Sequence, residues 1–246
     1  MMGSDFSKEE ERIDCVYKLF GVPRTDVENF LQEFGNADEK IRMYYEESFL
    51  DVRFVISYER QASKVSVDGV TNAFLQKFRG SLYYEGDLSL GEALVTLLKK
   101  SGLRLSAAES FTGGNVAARI VAVPGASEVF YEGVVCYDSE AKRERLGVRE
   151  DTLERNGAVS SETAYEMASG LLFGGKCNVA VATTGLAGPK TDGSALPVGL
   201  FFIAVGTMDG IRVFRCQSDG DRDRVIKVGT NAALFYTIQI IKNEMR

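Results

Sequence analysis

The chain of 246 residues contains no histidine and no tryptophan. The missing imidazole is the sharper absence. It excludes Ser-His-Asp triads, Cys-His pairs, HExxH zinc sites and imidazole proton shuttles. Any proton transfer by this chain belongs to carboxylates, lysine, tyrosine or cysteine. The four cysteines, Cys15, Cys136, Cys177 and Cys216, are widely spaced and form no CxxC pair. They read as reduced thiols of a cytoplasmic protein, neither a disulfide framework nor a zinc site, and no metal is expected. No apolar run approaches the roughly 20 residues needed to cross a bilayer, and the polar, acidic residues 1–11 are unlike a secretory signal. No membrane partner is expected. The net charge of −6 and pI near 5.0 count against a nucleic-acid partner, which requires a basic face.

What is present is ordinary in bulk, at 45% apolar and 26% charged, and the length suits one large domain or two small ones. Its distribution is uneven. Residues 1–90 carry 17 acidic and 11 basic residues, whereas 91–246 carry 18 of each. Six glycines lie in the first stretch and 19 in the second. These shifts place a boundary near 86–89, dividing a domain over 1–88 from one over 89–246.

The first part mixes short elements. Helical spacing runs over 26–34, with Thr25 or Asp26 as N-cap, and over 70–78. Strand patterns cover 49–58, where Val52, Phe54, Ile56 and Tyr58 share a face, and 81–84. This predicts a small α+β domain, and it has no GxxG loop for RNA. The second part alternates helices over 90–100, 112–121, 139–146, 160–173 and 221–245 with strands over 103–108, 130–137 and 178–183. A hairpin of 198–205 and 211–216 turns around Asp209-Gly210. The expected fold class is α/β: a Rossmann-like three-layer domain with a mixed, partly parallel sheet, preceded by the small α+β domain.

Four constellations can carry chemistry. Glu109-Ser110-Phe111-Thr112-Gly113-Gly114 sits where a strand gives way to a helix. That is the ligand side of an α/β sheet, and a helix amino terminus offers N–H groups to an oxyanion or phosphate. Ser110 or Thr112 reads equally as a plain N-cap. Tyr137-Asp138-Ser139-Glu140-Ala141-Lys142 also follows a strand. Its lysine is a general base if burial depresses a pKa of about 10.4, and otherwise a solvated surface residue. Ser139-x-x-Lys142 has the spacing of a serine-lysine pair, which makes Ser139 a lower-ranked competitor of Ser110. The third is Thr183-Thr184-Gly185-Leu186-Ala187-Gly188-Pro189, glycine-rich but not a P-loop, and readable as an ordinary turn. The fourth, Gly220-Asp221-Arg222-Asp223-Arg224, offers Arg222 or Arg224 to a phosphate, or simply opens a surface helix.

From about residue 90 onward the chain resembles the CinA C-terminal domain, the nicotinamide-nucleotide amidohydrolase family. The resemblance rests on Ala108-Glu109-Ser110-x-Thr112-Gly113-Gly114, Pro124-Gly125-Ala126-Ser127 and Gly133-Val134-Val135-x-Tyr137. It continues through Glu140-Ala141-Lys142, Leu146-Gly147-Val148, Gly157-Ala158-Val159-Ser160, Thr184-Gly185-Leu186-Ala187-Gly188-Pro189, Pro197-Val198-Gly199 and Gly220-Asp221-Arg222. Residues 12–88 more weakly resemble the small middle domain of full-length CinA; the large amino-terminal domain has no counterpart here.

The resemblance implies hydrolysis of the carboxamide of nicotinamide mononucleotide to nicotinate mononucleotide and ammonia, without a cofactor, by a homodimer. It implies Ser110 as nucleophile, Lys142 as base, and Tyr137 relaying or orienting. Thr112, Gly113, Gly114, Thr184, Gly185 and Arg222 are the implied substrate-side residues, with Arg224 as fallback. The chain departs from the pattern in three places. Phe111 stands where cysteine is frequent, and Asp138-Ser139 replaces a more usual Ser-Asn. The 190–196 loop is altered, with Leu196 replacing a frequent lysine. A non-catalytic nucleotide- or partner-binding module, or an amidase on a different amide, are the alternative readings.

Overall fold

The computed structural model describes residues 11–191, 193 and 195–244, which fall into two compact units divided between Asp87 and Leu88. The first unit contains β1 (Arg12–Phe20), α1 (Arg24–Phe34), β2 (Ile41–Ser48), β3 (Asp51–Glu59), α2 (Lys64–Phe78) and β4 (Leu82–Glu85). Its strands form one antiparallel sheet in the order β2-β3-β1-β4. Val52, Phe54 and Ile56 of β3 share the face that meets Val27 and Phe30 of α1 and Val70, Phe74 and Phe78 of α2.

Two strands here, β1 and β2, are absent from the sequence-based reading. In β1 the alternation is blurred: Tyr17, Leu19 and Phe20 are all buried, so apolar residues occupy both faces near its end. In β2 only Ile41 is buried, and five of its eight residues, Arg42, Tyr44, Glu46, Glu47 and Ser48, are exposed and carry a charge or a hydroxyl. The N-cap of α1 is Pro23, not Thr25 or Asp26. Proline tolerates that place because its missing N–H has no helical partner to lose.

The second unit contains α3 (Leu90–Ser101), β5 (Leu105–Glu109), α4 (Asn115–Val121), β6 (Phe130–Val135), α5 (Ser139–Leu146), α6 (Glu150–Asn156) and α7 (Ser161–Phe173). It ends with β7 (Val179–Gly185), β8 (Leu200–Thr207), β9 (Gly210–Gln217) and α8 (Arg222–Glu244). The five-stranded sheet has the order β6-β5-β7-β8-β9. β5 pairs parallel to β6 and β7, and the β8–β9 hairpin adds antiparallel strands at the far side. The hairpin turns through Met208 and Asp209, one residue earlier than expected. Helix α7 packs on one face of the sheet, whereas α8 packs on the other with α3 and α4. This is the expected three-layer, partly parallel arrangement.

Alternation along β8 shows how the layers are held. Leu200, Phe202 and Ala204 face the cluster that includes Met167, Ala168 and Leu171 of α7. Phe201, Ile203 and Val205 are buried on the opposite side, as a sheet covered on both faces requires. Helix α6 escaped the sequence-based reading because its seven residues contain one leucine and no apolar stripe. Among the described residues no helix is long and apolar enough to cross a membrane.

The chain leaves β5 by α4 to reach β6, then returns past β5 by α7 to β7. The two connections lie on opposite faces. That reversal opens a crevice at the carboxyl ends of the parallel strands, where open α/β sheets bind ligands.

Candidate functional site

The residues following β5, β6 and β7 meet at this edge. A cleft of about 250 Å³ is lined by Ser110 and Phe111 after β5, Tyr137 and Lys142 after β6, and Ala158 and Val159 before α7. Residues 184–188, with Lys190, Thr191 and Arg222, complete it. It thus brings together Ser110, Tyr137, Lys142, Thr184, Gly185 and Arg222. Lys190, Thr191, Ala158 and Val159 were missed in the sequence. Their signal there was only proximity to the glycine-rich loop, and loop path is set by tertiary contacts.

Ser110 directly follows β5. Its N–H donates to the Thr183 carbonyl at 3.0 Å, which pins the turn to β7. Its side chain is nearly buried, at 8% exposure, and its hydroxyl is free of protein partners among the described residues. Neither Ser110 nor Thr112 caps α4. The cap is supplied by Glu109, only 1% exposed. Its carboxylate accepts from the N–H groups of Gly114, Val116 and Ala117 at 3.0, 3.0 and 2.8 Å. A buried carboxylate on the helix amino terminus satisfies both the orphan donors and the dipole.

That cap corrects the expectation for Thr112, Gly113 and Gly114, none of which lines the cleft. Helix α4 starts at Asn115, three residues later than the spacing suggested, because Gly113 and Gly114 turn the chain at φ of 60° and 95°. The Gly114 N–H is committed to Glu109, and the Gly113 N–H to the Ser110 carbonyl. The Thr112 hydroxyl is fully buried and shares a 2.7 Å hydrogen bond with the Thr183 hydroxyl. Thr112 therefore braces the turn. Phe111 lies 4% exposed, its ring 5.3 Å from that of Phe201 and pressed against Gly229 of α8, where any Cβ would collide with it. The residue after Ser110 thus anchors the turn to α8.

Lys142 sits on α5, whose N-cap is Asp138 accepting from the Glu140 N–H. The lysine is 1% exposed. Its Nζ donates to the carbonyls of Cys136 at 2.9 Å and Tyr137 at 3.2 Å. Burial pushes its pKa down, and the nearby Cys136 and Asp138 only partly offset this. Burial likewise pushes the Cys136 thiol up. Two carbonyls take two of the lysine's bonds, and the remaining position on its nitrogen has no partner among the described residues. Ser139 is exposed and lines a different cavity with Glu140, Arg143 and Glu150. The one-turn spacing that made it a competitor does not bring it to the cleft.

The Tyr137 side chain is exposed, and its hydroxyl accepts from Arg222 Nη2 at 2.8 Å. Arg222 Nη1 donates to the Gly188 carbonyl at 2.8 Å. One guanidinium thus joins the segment after β6, the loop after β7 and the start of α8. Arg224 instead pairs with Asp219 at 3.3 Å, so the fallback assignment is not the one that faces the cleft. The Thr184 hydroxyl donates to the Ala158 carbonyl at 2.6 Å, tying β7 to the wall before α7. Leu196 packs against the apolar cluster beneath α7.

The CinA C-terminal domain family model matches residues 87–241. The putative competence-damage inducible protein of Caldicellulosiruptor saccharolyticus is 36% identical over 93% of this chain and 56% of its own length. The CinA-like protein of Kosmotoga olearia is 44% identical over 89% of this chain and 53% of its own. The chain therefore spans about half the length of the curated relatives it matches. Among solved structures, a CinA superfamily protein from Klebsiella pneumoniae superposes with a TM-score of 0.61 at 32% identity. It covers 63% of this chain and 96% of its own. A competence/damage-inducible protein from Agrobacterium tumefaciens gives 0.59 at 35%, covering 62% and 93%. With its matched segment running through every strand that frames the cleft, this chain belongs to the CinA family.

Proposed function

We propose that the cleft hydrolyses the carboxamide of nicotinamide mononucleotide to nicotinate mononucleotide and ammonia. The observation that carries this reading is the pairing on one cleft of a serine hydroxyl without a partner among the described residues and a buried lysine, held by two carbonyls, whose pKa burial pushes down. In a chain without histidine, this is chemistry a serine amidohydrolase needs.

Ser110 Oγ attacks the carboxamide carbon while neutral Lys142 takes its proton. The lysine then returns that proton to the leaving nitrogen, and ammonia departs. Water, deprotonated by the same amine, cleaves the acyl-enzyme. The oxyanion falls to the N–H group of Phe111, which lines the cleft and has no partner among the bonds of the described residues. Tyr137 reaches Lys142 only through its backbone carbonyl, while its hydroxyl holds Arg222. Its side chain is therefore read as orienting the substrate side rather than relaying the proton. Residues 1–88 are read as the counterpart of the small middle domain of full-length CinA, supported by relatives whose matches reach 93% of the chain.

The test is ammonia release from nicotinamide mononucleotide by wild type beside Ser110→Ala and Lys142→Ala. Each substitution is expected to lower kcat by roughly a thousandfold or more. Near-wild-type release from Ser110→Ala would overturn the assignment. Nicotinamide and glutamine in parallel reveal an amidase of different preference.

A further inference from the structure

Helix α8 meets the walls of the cleft at two places. Its first residue, Arg222, donates to the Tyr137 hydroxyl and the Gly188 carbonyl. Seven residues on, Gly229 is buried and receives the ring of Phe111. At 3.6 residues per turn, seven residues make nearly two whole turns. Arg222 and Gly229 therefore lie on one face of the helix, about 10 Å apart along its axis. The Tyr137 end of this link also carries the base, because the Tyr137 carbonyl accepts from Lys142 Nζ at 3.2 Å. One face of α8 thus meets both the segment that holds the lysine and the turn that presents Ser110.

The fit at Gly229 leaves no spare room. An alanine Cβ there would stand 2.6 Å from Cε2 of Phe111 and closer still to its Cζ, whereas carbon atoms pack at about 3.5–4.0 Å. The ring has nowhere to step aside. It is 4% exposed and lies 5.3 Å from the ring of Phe201 on β8, which is itself buried. A side chain at 229 must therefore push the ring, and with it the backbone next to Ser110. The flanking residues tie the turn in the other direction: the Ser110 N–H and the Thr112 hydroxyl bond to Thr183 of β7. Glycine inside a helix costs stability relative to alanine, and the Phe111 ring is the physical reason for it here.

We infer that Phe111 and Gly229 are a positioning pair, through which α8 fixes where the Ser110 hydroxyl stands in the cleft. The reaction it serves rests on the amidohydrolase reading; the pair itself rests on packing. Neither side chain has to touch substrate for this. The effect of disturbing the pair falls on the chemical step, because a displaced nucleophile leaves binding as it was and attacks from the wrong place.

The experiment measures kcat and KM for ammonia release from nicotinamide mononucleotide. Beside it runs the rate at which a fluorophosphonate phosphonylates Ser110 with loss of fluoride. It uses wild type, Gly229→Ala, Phe111→Leu and the double variant. Gly69→Ala is the control, a glycine of α2 whose added Cβ would meet nothing within 4 Å. Gly229→Ala should lower kcat and the labelling rate roughly ten- to a hundredfold, with KM within about twofold of wild type. Gly69→Ala should match wild type. In the double variant the leucine makes room for the new methyl group, so kcat should equal or exceed that of Phe111→Leu. A wild-type kcat in Gly229→Ala, a loss carried by KM, or a double variant below Phe111→Leu overturns the pair. If Gly229→Ala does not fold, the double variant against Phe111→Leu decides. If wild type is labelled at Ser110 but releases no ammonia, the amidohydrolase reading fails by itself and the labelling rates decide the pair. A wild type neither labelled nor active overturns both.

Discussion

The two units fill their interiors with different material. In the first, Phe30 lies 4.7 to 5.9 Å from the rings of Phe34, Phe54, Phe74 and Phe78, and Ser57 is the one buried polar residue among those described. In the second, fifteen polar or charged residues of those described are buried, among them Glu109, Ser110, Thr112, Lys142, Thr183 and Thr184. Burying a polar group costs free energy unless hydrogen bonds replace its water. The first unit meets that cost at few places, Ser57 and the Tyr83 hydroxyl that donates to Asp51 among them, whereas the second meets it more often, with several of its bonds at one sheet edge. An interior that holds a lysine and a serine hydroxyl without a partner among the described residues is where chemistry is to be sought.

This contrast can be broken at several points. The largest stability effect is expected in the first unit. Phe74→Ala removes a ring packed against Tyr17, Phe30, Phe54 and Phe78. It should cost about 4 kcal/mol in denaturant unfolding while kcat of the folded protein stays at the wild-type level. A matching loss of kcat would mean that the units divide their tasks less cleanly.

Next comes Glu109→Gln, which replaces the charged cap on three backbone N–H groups. A loss of about 2 kcal/mol is expected, with kcat falling because the turn that presents Ser110 loosens. Unaltered melting and unaltered kcat would deny Glu109 its positioning role.

A third probe uses pH. The folded pKa of Lys142 is depressed by burial, whereas the unfolded value is near 10.4. Between the two, the unfolded chain binds more protons, so wild-type stability rises with pH across that window. The penalty is full below the folded pKa and vanishes near 10.4. The Tm of Lys142→Met relative to wild type should therefore be higher at pH 7 than at pH 10. A difference that ignores pH, or widens upward, would contradict a depressed lysine. The kcat of wild type should rise with pH through a value below 10.4.

The smallest effect is expected for Tyr137→Phe. The hydroxyl is exposed and accepts one bond from Arg222, so KM should rise about two- to fivefold, on the order of 0.5–1 kcal/mol, with little change in kcat. A loss of several powers of ten would restore Tyr137 to the proton path.

Much of this was legible in the sequence, for identifiable reasons. Strand and helix alternation in the second unit, the capped start of α7 at Ser160 and the buried run of β7 come from local periodicity and turn chemistry. So does the placement of Ser110 and Lys142 just past strand ends. The rest was not local. Glu109 reaches α4 by folding back over a glycine turn, a contact no helical spacing announces. Thr112 looked like a ligand-side hydroxyl until Thr183, 71 residues away, took it.

By itself, then, the sequence determined that no imidazole takes part, that the acidic excess lies in the first 90 residues, and which segments end at the sheet edge. Composition and short-range pattern suffice for these. Only the tertiary structure decided that Lys142 is buried, that Ser139 faces another cavity, and that Lys190 and Arg222 line the same cleft as Ser110. Solvation and charge pairing depend on what packs around a side chain, and neighbours distant in sequence supply that packing.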